Sequence, residues 1–321
     1  MPASPPTAAL PVICPGHSRP VVDLMFRSTP DSLHLLMSAC HDKLPMLRWA
    51  DSGNWVGTFK GVSGRRSSRR GQPPNLTPPR MQHSGAVWGC ALDEAGLHAA
   101  TASADFTAKL WDVNTGKELS SLPHEHVVKS CAFSQGKLLT AGLEKKAFVF
   151  DVETSRALTC LKHEAAVPKA VWHARSGCII TAGGDGYVRL WDVRSASLVS
   201  SQQLRAGGAV VDLDLCGDQF VATVGRQFVV CDAQSLDVLQ RVDAKVELNS
   251  ACLSPNSRLV AAGANDLCCH VFDLQSNAAA SAPRVLKGHH GPVFSVRWLG
   301  SNERLASGSE DGTIRLWSLV S

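Results

Sequence analysis

Two closely spaced histidine pairs, His124 with His126 and His289 with His290, look like metal candidates, because neutral imidazole is a frequent ligand of zinc and copper. Three aspartates at matching places, Asp105, Asp185 and Asp311, are of the type that serves general acid–base catalysis. Eleven cysteines raise the question of disulfides or thiolate ligands. Five arginines, Arg65, Arg66, Arg69, Arg70 and Arg80, crowd one stretch that has no acids, as a phosphate-binding segment would. Each chemistry needs a constellation that is missing. There is no glycine-rich phosphate loop, no HExxH, no GxSxG and no CxxC pair. The cysteines are spread singly through apolar stretches (Cys40, Cys90, Cys131, Cys178, Cys252), with only Cys268 and Cys269 adjacent, which reads as buried free thiols in a reducing compartment. No catalytic residue, metal or cofactor is therefore expected.

The elements that carry these residues repeat. FTAKLWD ending at Asp112, GYVRLWD ending at Asp192 and GTIRLWS ending at Ser318 are each opened by an Asp six residues before the Trp. That fixed offset makes the aspartates structural, and it also accounts for one histidine of each pair. Weaker copies have Glu144 with Phe150 and Asp151, and Asp266 with Phe272 and Asp273; an eroded copy ends at Cys231 and Asp232, and a first copy has Asp42 with Arg48 in place of Trp. The copies end at positions 49, 112, 151, 192, 232, 273 and 318, spacings of 63, 39, 41, 40, 41 and 45. Self-similarity at this period signals a radial or stacked repeat architecture. Within the last copy, β-rich runs Val293 to Leu299, Leu305 to Ser309 and Thr313 to Ser318 alternate with turn residues.

These units resemble WD repeats, four strands each, arranged radially as a β-propeller. The fold expected is all-β: a seven-bladed WD-repeat propeller over residues 10–321, after a disordered stretch 1–9. The last copy lacks a fourth strand, and the apolar segment Leu10 to Cys14 is placed to supply it, closing the ring and leaving no open edge. The resemblance also implies a hydrogen-bonded set of His, hydroxyl, Asp and Trp, in which imidazole and hydroxyl bridge a donor-only indole and an acceptor-only carboxylate. It maps onto His83, Asp105 and Trp111, onto His163, Asp185 and Trp191, and onto His289, Asp311 and Trp317, with incomplete sets at His17 and Asp42 and at His124 and Glu144. Four residues after the His stands Val in five repeats (Val21, Val87, Val128, Val167, Val293), a core position. The next position varies (Val22, Trp88, Lys129, Pro168, Phe294), and WD geometry puts it near the mouth of the central channel. Trp88, Lys129 and Phe294 are the candidate partner-binding residues, against the alternative that they pack between blades.

VVDLMF (Val21 to Phe26), GNWVGTF (Gly53 to Phe59), SGAVWG (Ser84 to Gly89) and ATASADFTAKLWD (Ala100 to Asp112) closely resemble the serine/threonine kinase receptor-associated protein family. The resemblance implies a non-catalytic scaffold of the survival-of-motor-neuron complex, cytoplasmic and nuclear. Its partners would be Gemin and Sm proteins of small-nuclear-ribonucleoprotein assembly, met as a monomer within a larger complex, with RNA reached only through that complex. Animal members also dampen transforming-growth-factor-β receptor signalling. A related seven-blade alternative is the i subunit of translation initiation factor 3, against which SACHDKLPMLR (Ser38 to Arg48) speaks; an unassigned signalling adaptor stays open. No run of 18 apolar residues exists to cross a bilayer as a helix, and no basic n-region precedes an apolar run at the start, so a soluble, unprocessed chain is expected.

Two departures from the family stand out. Its C-terminal tail has no counterpart after Ser321, and an Arg/Ser/Pro-rich insertion, Val62 to Gln82, separates the first two repeats. Removing its 21 residues turns the anomalous spacing of 63 into 42, and the formal charge of +4 into −1, so overall charge gives no evidence of a phosphate-binding surface. Three readings are open: a solvated surface loop, an unspliced intron carried into the protein sequence, or a basic arm that is phosphorylated or binds RNA. Val-Ser can be encoded GTGAGT, a splice-donor consensus, and Gln82 can be CAG, an acceptor. Sequencing the mature transcript across Lys60 to Ser84 separates them: an intron predicts a message without these codons, and a message that keeps them removes that reading.

Overall fold

Alternating apolar residues and regularly spaced turns leave the chain no use for helix. The computed structural model, which describes residues 11–59, 82–275, 282–300 and 303–319, has strands and turns and no helix among them. The expected disordered residues 1–9 and the insertion, Gln82 excepted, lie outside the described residues. Strand β1 (Val12–Cys14) precedes a first blade of β2 (Val21–Ser28), β3 (His34–Cys40), β4 (Met46–Trp49) and β5 (Trp55–Thr58). The second blade is β6 (Val87–Leu92), β7 (His98–Ser103), β8 (Thr107–Asp112) and β9 (Glu118–Pro123). The third is β10 (Val128–Ser134), β11 (Lys137–Gly142), β12 (Lys146–Asp151) and β13 (Ala157–Lys162); the fourth is β14 (Lys169–His173), β15 (Cys178–Ala182), β16 (Tyr187–Asp192) and β17 (Ser197–Gln203). The fifth is β18 (Asp212–Cys216), β19 (Gln219–Val224), β20 (Gln227–Asp232) and β21 (Val238–Asp243), and the sixth is β22 (Leu248–Leu253), β23 (Leu259–Ala264), β24 (Cys268–Asp273) and β25 (Arg284–Lys287). The seventh has β26 (Val293–Trp298), β27 (Arg304–Ser309) and β28 (Ile314–Ser318) from the end of the chain, and β1 as its outer strand.

That last pairing is antiparallel, with Val12 opposite Leu316 and Cys14 opposite Ile314, so the two ends of the ring share one sheet. The inner strands β2, β6, β10, β14, β18, β22 and β26 touch in succession, and β26 returns to β2. The result is a seven-bladed β-propeller, as the repeats predict. Core side chains lie between neighbouring sheets: Val221 and Phe228 of the fifth blade, for example, pack with Ala251 and Val260 of the sixth. In the second to sixth blades the turn after the third strand has a local cause. The Asp that ends the strand accepts backbone N–H bonds two or three residues on, from Thr115 to Asp112 at 2.7 Å, Thr154 to Asp151 at 2.8 Å and Gln234 to Asp232 at 2.9 Å.

The repeating His, hydroxyl, Asp and Trp bind the blades internally. In the second blade Trp111 Nε1–H donates to Thr101 Oγ1 at 2.9 Å, the Thr101 hydroxyl lies 2.6 Å from His83 Nε2, and His83 Nδ1 lies 2.8 Å from Asp105 Oδ2. An indole only donates and a carboxylate only accepts, so the proton order along this chain is set: hydroxyl to Nε2, Nδ1 to carboxylate. Burial raises the cost of charging Asp105, yet the bond from His83 holds its carboxyl well below the usual range. The seventh blade repeats the chain through Trp317, Ser307, His289 and Asp311, at 2.8, 2.7 and 3.0 Å. His17 bonds both Asp42 and Ser38 at 2.8 Å; Arg48 in the Trp position is buried and donates to the carbonyls of Gly53 and Pro15. Cys40 lies close enough to His17 and Asp42 to make a three-ligand group, but its thiol donates to the Arg19 carbonyl and the other two bond each other. His124 reaches Glu144 at 2.5 Å and Thr140 at 3.3 Å. In the eroded fifth blade, which lacks both His and Trp, Thr223 Oγ1 is buried without a partner, a cost of about 1–3 kcal/mol.

The fourth blade departs from expectation. Trp191 and His163 both bond the Thr181 hydroxyl at 3.0 Å, but His163 Nδ1 donates to the Leu161 carbonyl at 3.1 Å, and Asp185 pairs instead with Arg189 at 2.5 Å. The fourth blade combines two differences, a guanidinium four residues beyond the Asp and no threonine hydroxyl two residues beyond it. Asp42 keeps His17 with Leu44 in the latter place but Met46 in the former, and Asp311 keeps His289 beside Arg315 with Thr313 present. Thr107 and Thr313 donate hydroxyl bonds of 2.6 and 2.7 Å that hold Asp105 and Asp311 beneath their histidines. Tyr187 occupies that place in the fourth blade and has no such hydroxyl, leaving Asp185 to the guanidinium. The thiols are free, as read; seven are buried and three partly so, whereas Cys160 is exposed on the outer strand β13.

Desolvation pushes His163 down to about 4. It is neutral in the fold and takes up protons more readily when unfolded, so its contribution is present above pH 6.5 and is lost as pH falls from 6.5 towards 4. By linkage this amounts to on the order of 3 kcal/mol. The His163 ring proton resonances should titrate near 4, and the double substitution Tyr187→Thr with Arg189→Gln should return Asp185 to His163 and raise that value. Titration of the native ring at 6.5 or above would contradict the broken set.

Candidate partner-binding mouth of the central channel

The inner strands do not pair regularly with their neighbours. In five blades the register slips by one residue after the buried Val or Leu, between Val21 and Asp23, Val87 and Gly89, Val128 and Ser130, Leu248 and Ser250, and Val293 and Ser295. A β-bulge leaves its extra residue out of the ladder and re-aims the side chain. The residues set free are Val22, Trp88, Lys129, Asn249 and Phe294, and all five line one cavity of about 420 Å³ at the end of the channel, with Pro168 and Val211 from the fourth and fifth blades. In these five blades the bulge is thus the physical cause of the variable position after the core residue; the fourth blade has Pro168 there and no bulge. The core valines, Val21, Val87, Val128, Val167 and Val293, are buried as expected.

Trp88, Lys129 and Phe294 are half-buried at this mouth. Trp88 also packs between blades, edge-on to His41 with ring centres 4.4 Å apart and with Lys129 Nζ 3.0 Å from its ring centre, so the packing role holds for a residue that also faces the cavity. The stack requires close approach of the second and third blades: a Cβ at Gly89, beside Trp88, would lie 2.7 Å from the Lys129 carbonyl. Burial pushes Lys129 down to about 8. Desolvation, followed by the positive charges of Lys129 and Arg19, likewise lowers His41. His41 is a wall residue the sequence reading did not find, because it stands in the turn after β3, away from the repeating position.

Below the mouth the channel is closed by charge. Lys169 Nζ lies 3.0 Å from both Asp23 oxygens and 4.0 Å from Asp212; Arg297 lies 3.3 Å from Asp23, 3.2 Å from Asp212 and 3.9 Å from Asp214. Blades one, four, five and seven each contribute, so the cluster ties the ring across its axis. Desolvation would lower Lys169 and Arg297, but Asp212 and Asp23 overcome it and hold both firmly charged. Asp214, at the edge of the cluster, is pushed up to about 6 by burial, with Arg297 opposing. A second cavity of about 490 Å³ opens on the far side of these charges, lined in part by Arg27, Cys131, Trp172 and Asp214. The sequence reading did not find this cluster, although the register marks it: Asp23, Lys169 and Asp212 stand where other repeats have Gly89, Ser130, Ser250 and Ser295.

The described residues offer this mouth no nucleophile–base pair, and a partly apolar cavity with one cation outside any ion pair, Lys129, and two aromatic walls suits binding. Comparison with known proteins gives a consistent picture. The family model for the WD domain, G-beta repeat, matches residues 77–112, 155–192 and 281–318, the three copies that retain both Asp and Trp. Serine-threonine kinase receptor-associated protein of Bos taurus is 38% identical over 314 residues, 97% of this chain and 83% of the relative. The protein of that name from Dictyostelium discoideum is 36% identical, over 96% of this chain and 98% of its own length. Eukaryotic translation initiation factor 3 subunit I of Drosophila willistoni is more distant, 27% identical over 95% and 97%. The chain belongs to the serine-threonine kinase receptor-associated protein family of WD-repeat β-propellers.

Proposed function

We propose that this protein is a non-catalytic scaffold of the machinery that loads Sm proteins onto spliceosomal small nuclear RNA, acting in cytoplasm and nucleus and docking protein partners at the channel mouth. The observation that carries the docking site is the bulge-directed convergence of Trp88, Lys129 and Phe294 on one cavity. Aromatic residues in a partly desolvated pocket are typical energetic anchors of protein interfaces. The assembly role rests on family membership and on the near full-length similarity to the receptor-associated proteins. A role in dampening receptor signalling belongs to the same reading. The initiation-factor alternative is favoured only by the 27% identity to subunit I. Against it, the stretch that separates the two in sequence, Ser38 to Arg48, carries an arginine that is buried and bonded in place of the repeat tryptophan.

Affinity purification of the tagged full chain from its own cells should recover Gemin and Sm proteins; recovery of initiation-factor subunits instead would favour the alternative. Trp88→Ala and Phe294→Ala should each weaken capture, by roughly 30-fold if the residue is worth about 2 kcal/mol, with the fold retained by circular dichroism. Unchanged capture by both folded variants removes the mouth as the docking surface.

A further inference from the structure

Lys129 is a half-buried ammonium group whose positive charge has no counter-ion. The structure gives it one partner, the Trp88 ring, and such a contact is worth about 0.5–2 kcal/mol, less than full solvation of the charge. The deeper cations differ: Lys169 sits on Asp23 and Asp212, and Arg297 on Asp23, Asp212 and Asp214. Residues 1–10, 60–81, 276–281, 301–302 and 320–321, which lie outside the described ones, contain no Asp or Glu. Nearby, His41 Nε2 is buried and has no hydrogen-bond partner. Around these polar atoms the wall is apolar, with Phe294 and Pro168 half-buried and Val211 41% exposed.

We propose that the mouth takes an extended acidic segment of a protein partner, one Asp or Glu carboxylate pairing with Lys129 Nζ and the neighbouring apolar side chain lying against Phe294 and Val211. This rests on the reading of the mouth as a docking site and specifies what docks there. One free cation matches one carboxylate. Nucleic acid is disfavoured, because a phosphate backbone is bound by several cations at once, whereas the other charges facing this cavity are the acids Asp23 and Asp212 and the already paired Lys169. The charge-assisted bond gains from the partly dry setting, in which an ion pair is stronger than in water.

The test uses the full chain and a phage-displayed library of random dodecapeptides. Peptides whose capture is lost on Trp88→Ala should be enriched in Asp or Glu beside an apolar residue. Made synthetically, such a peptide should bind at least tenfold more weakly when its acid is changed to the amide, a change that leaves the fold of the protein untouched. On Lys129→Met, which keeps the stem on Trp88 but not the charge, acid and amide peptides should bind alike, and Lys129→Glu should prefer a Lys peptide. Trp88-dependent peptides without acidic enrichment, or an amide penalty that persists on Lys129→Met, overturn the acidic-segment proposal while leaving the docking site intact. The absence of any Trp88-dependent peptide removes both. Binding of oligouridylate that Lys129→Met abolishes would replace the protein segment with RNA.

Discussion

Seven sheets can surround one axis only if the last meets the first, and in this protein three residues perform that closure. The pairing of Val12, Ile13 and Cys14 with Leu316, Arg315 and Ile314 makes the start of the chain the outer strand of its final blade. Everything inward depends on it, because an open ring would expose the apolar faces between β2 and β26 and let the inner strands drift apart. With the ring closed, Cys14, Val21, Ile314 and Leu316 share one buried cluster with Leu24 and Leu36, so the seam is packed like the other blade interfaces. Gly53 marks how tight that seam is: its backbone is left-handed, and a Cβ there would lie 2.3 Å from the Cys14 sulfur.

A closed ring forces inner strands together, and the axis must be filled by whatever they carry. Small residues suffice in three blades, Gly89, Ser130 and Ser250, while Asp23, Lys169, Asp212, Asp214 and Arg297 fill the rest with compensating charge. Burying ions is costly in desolvation, and removing one partner from such a set leaves an uncompensated charge. Loss of any single member is therefore destabilising, and the cluster fixes how blades one, four, five and seven face one another. It also divides the channel, so the mouth that holds Trp88 and Lys129 is a shallow pocket with a charged floor rather than an open tunnel.

Much of this was legible in the residues. The aspartate six places before Trp revealed the repeat because a carboxylate, an imidazole, a hydroxyl and an indole satisfy one another only in that order. Counting from the same register found the mouth, since in five blades a bulge follows the same core position of the repeat. Three features were not found. Asp185 follows the pattern in sequence yet leaves it in space, because Tyr187 replaces the threonine whose hydroxyl holds the carboxylate in the second and seventh blades, and Arg189 competes for it. His41 lies off the repeat in a turn, and only three-dimensional proximity brings it to Trp88. The axial charges were visible as an exception to small residues, but their pairing joins positions as far apart as Asp23 and Arg297, which no local pattern links.

The channel mouth is the surface that partners are proposed to cover. Amide hydrogen exchange, compared between the free protein and its purified complex, tests this most directly. Val22, Trp88, Lys129, Asn249 and Phe294 stand at bulges outside the regular ladder, where local opening makes exchange fast. Slowed exchange at these residues and at His41, with the outer strands β5, β9, β13, β17 and β21 unchanged, is the predicted result. Protection confined to those outer strands, with the mouth exchanging as before, would contradict it.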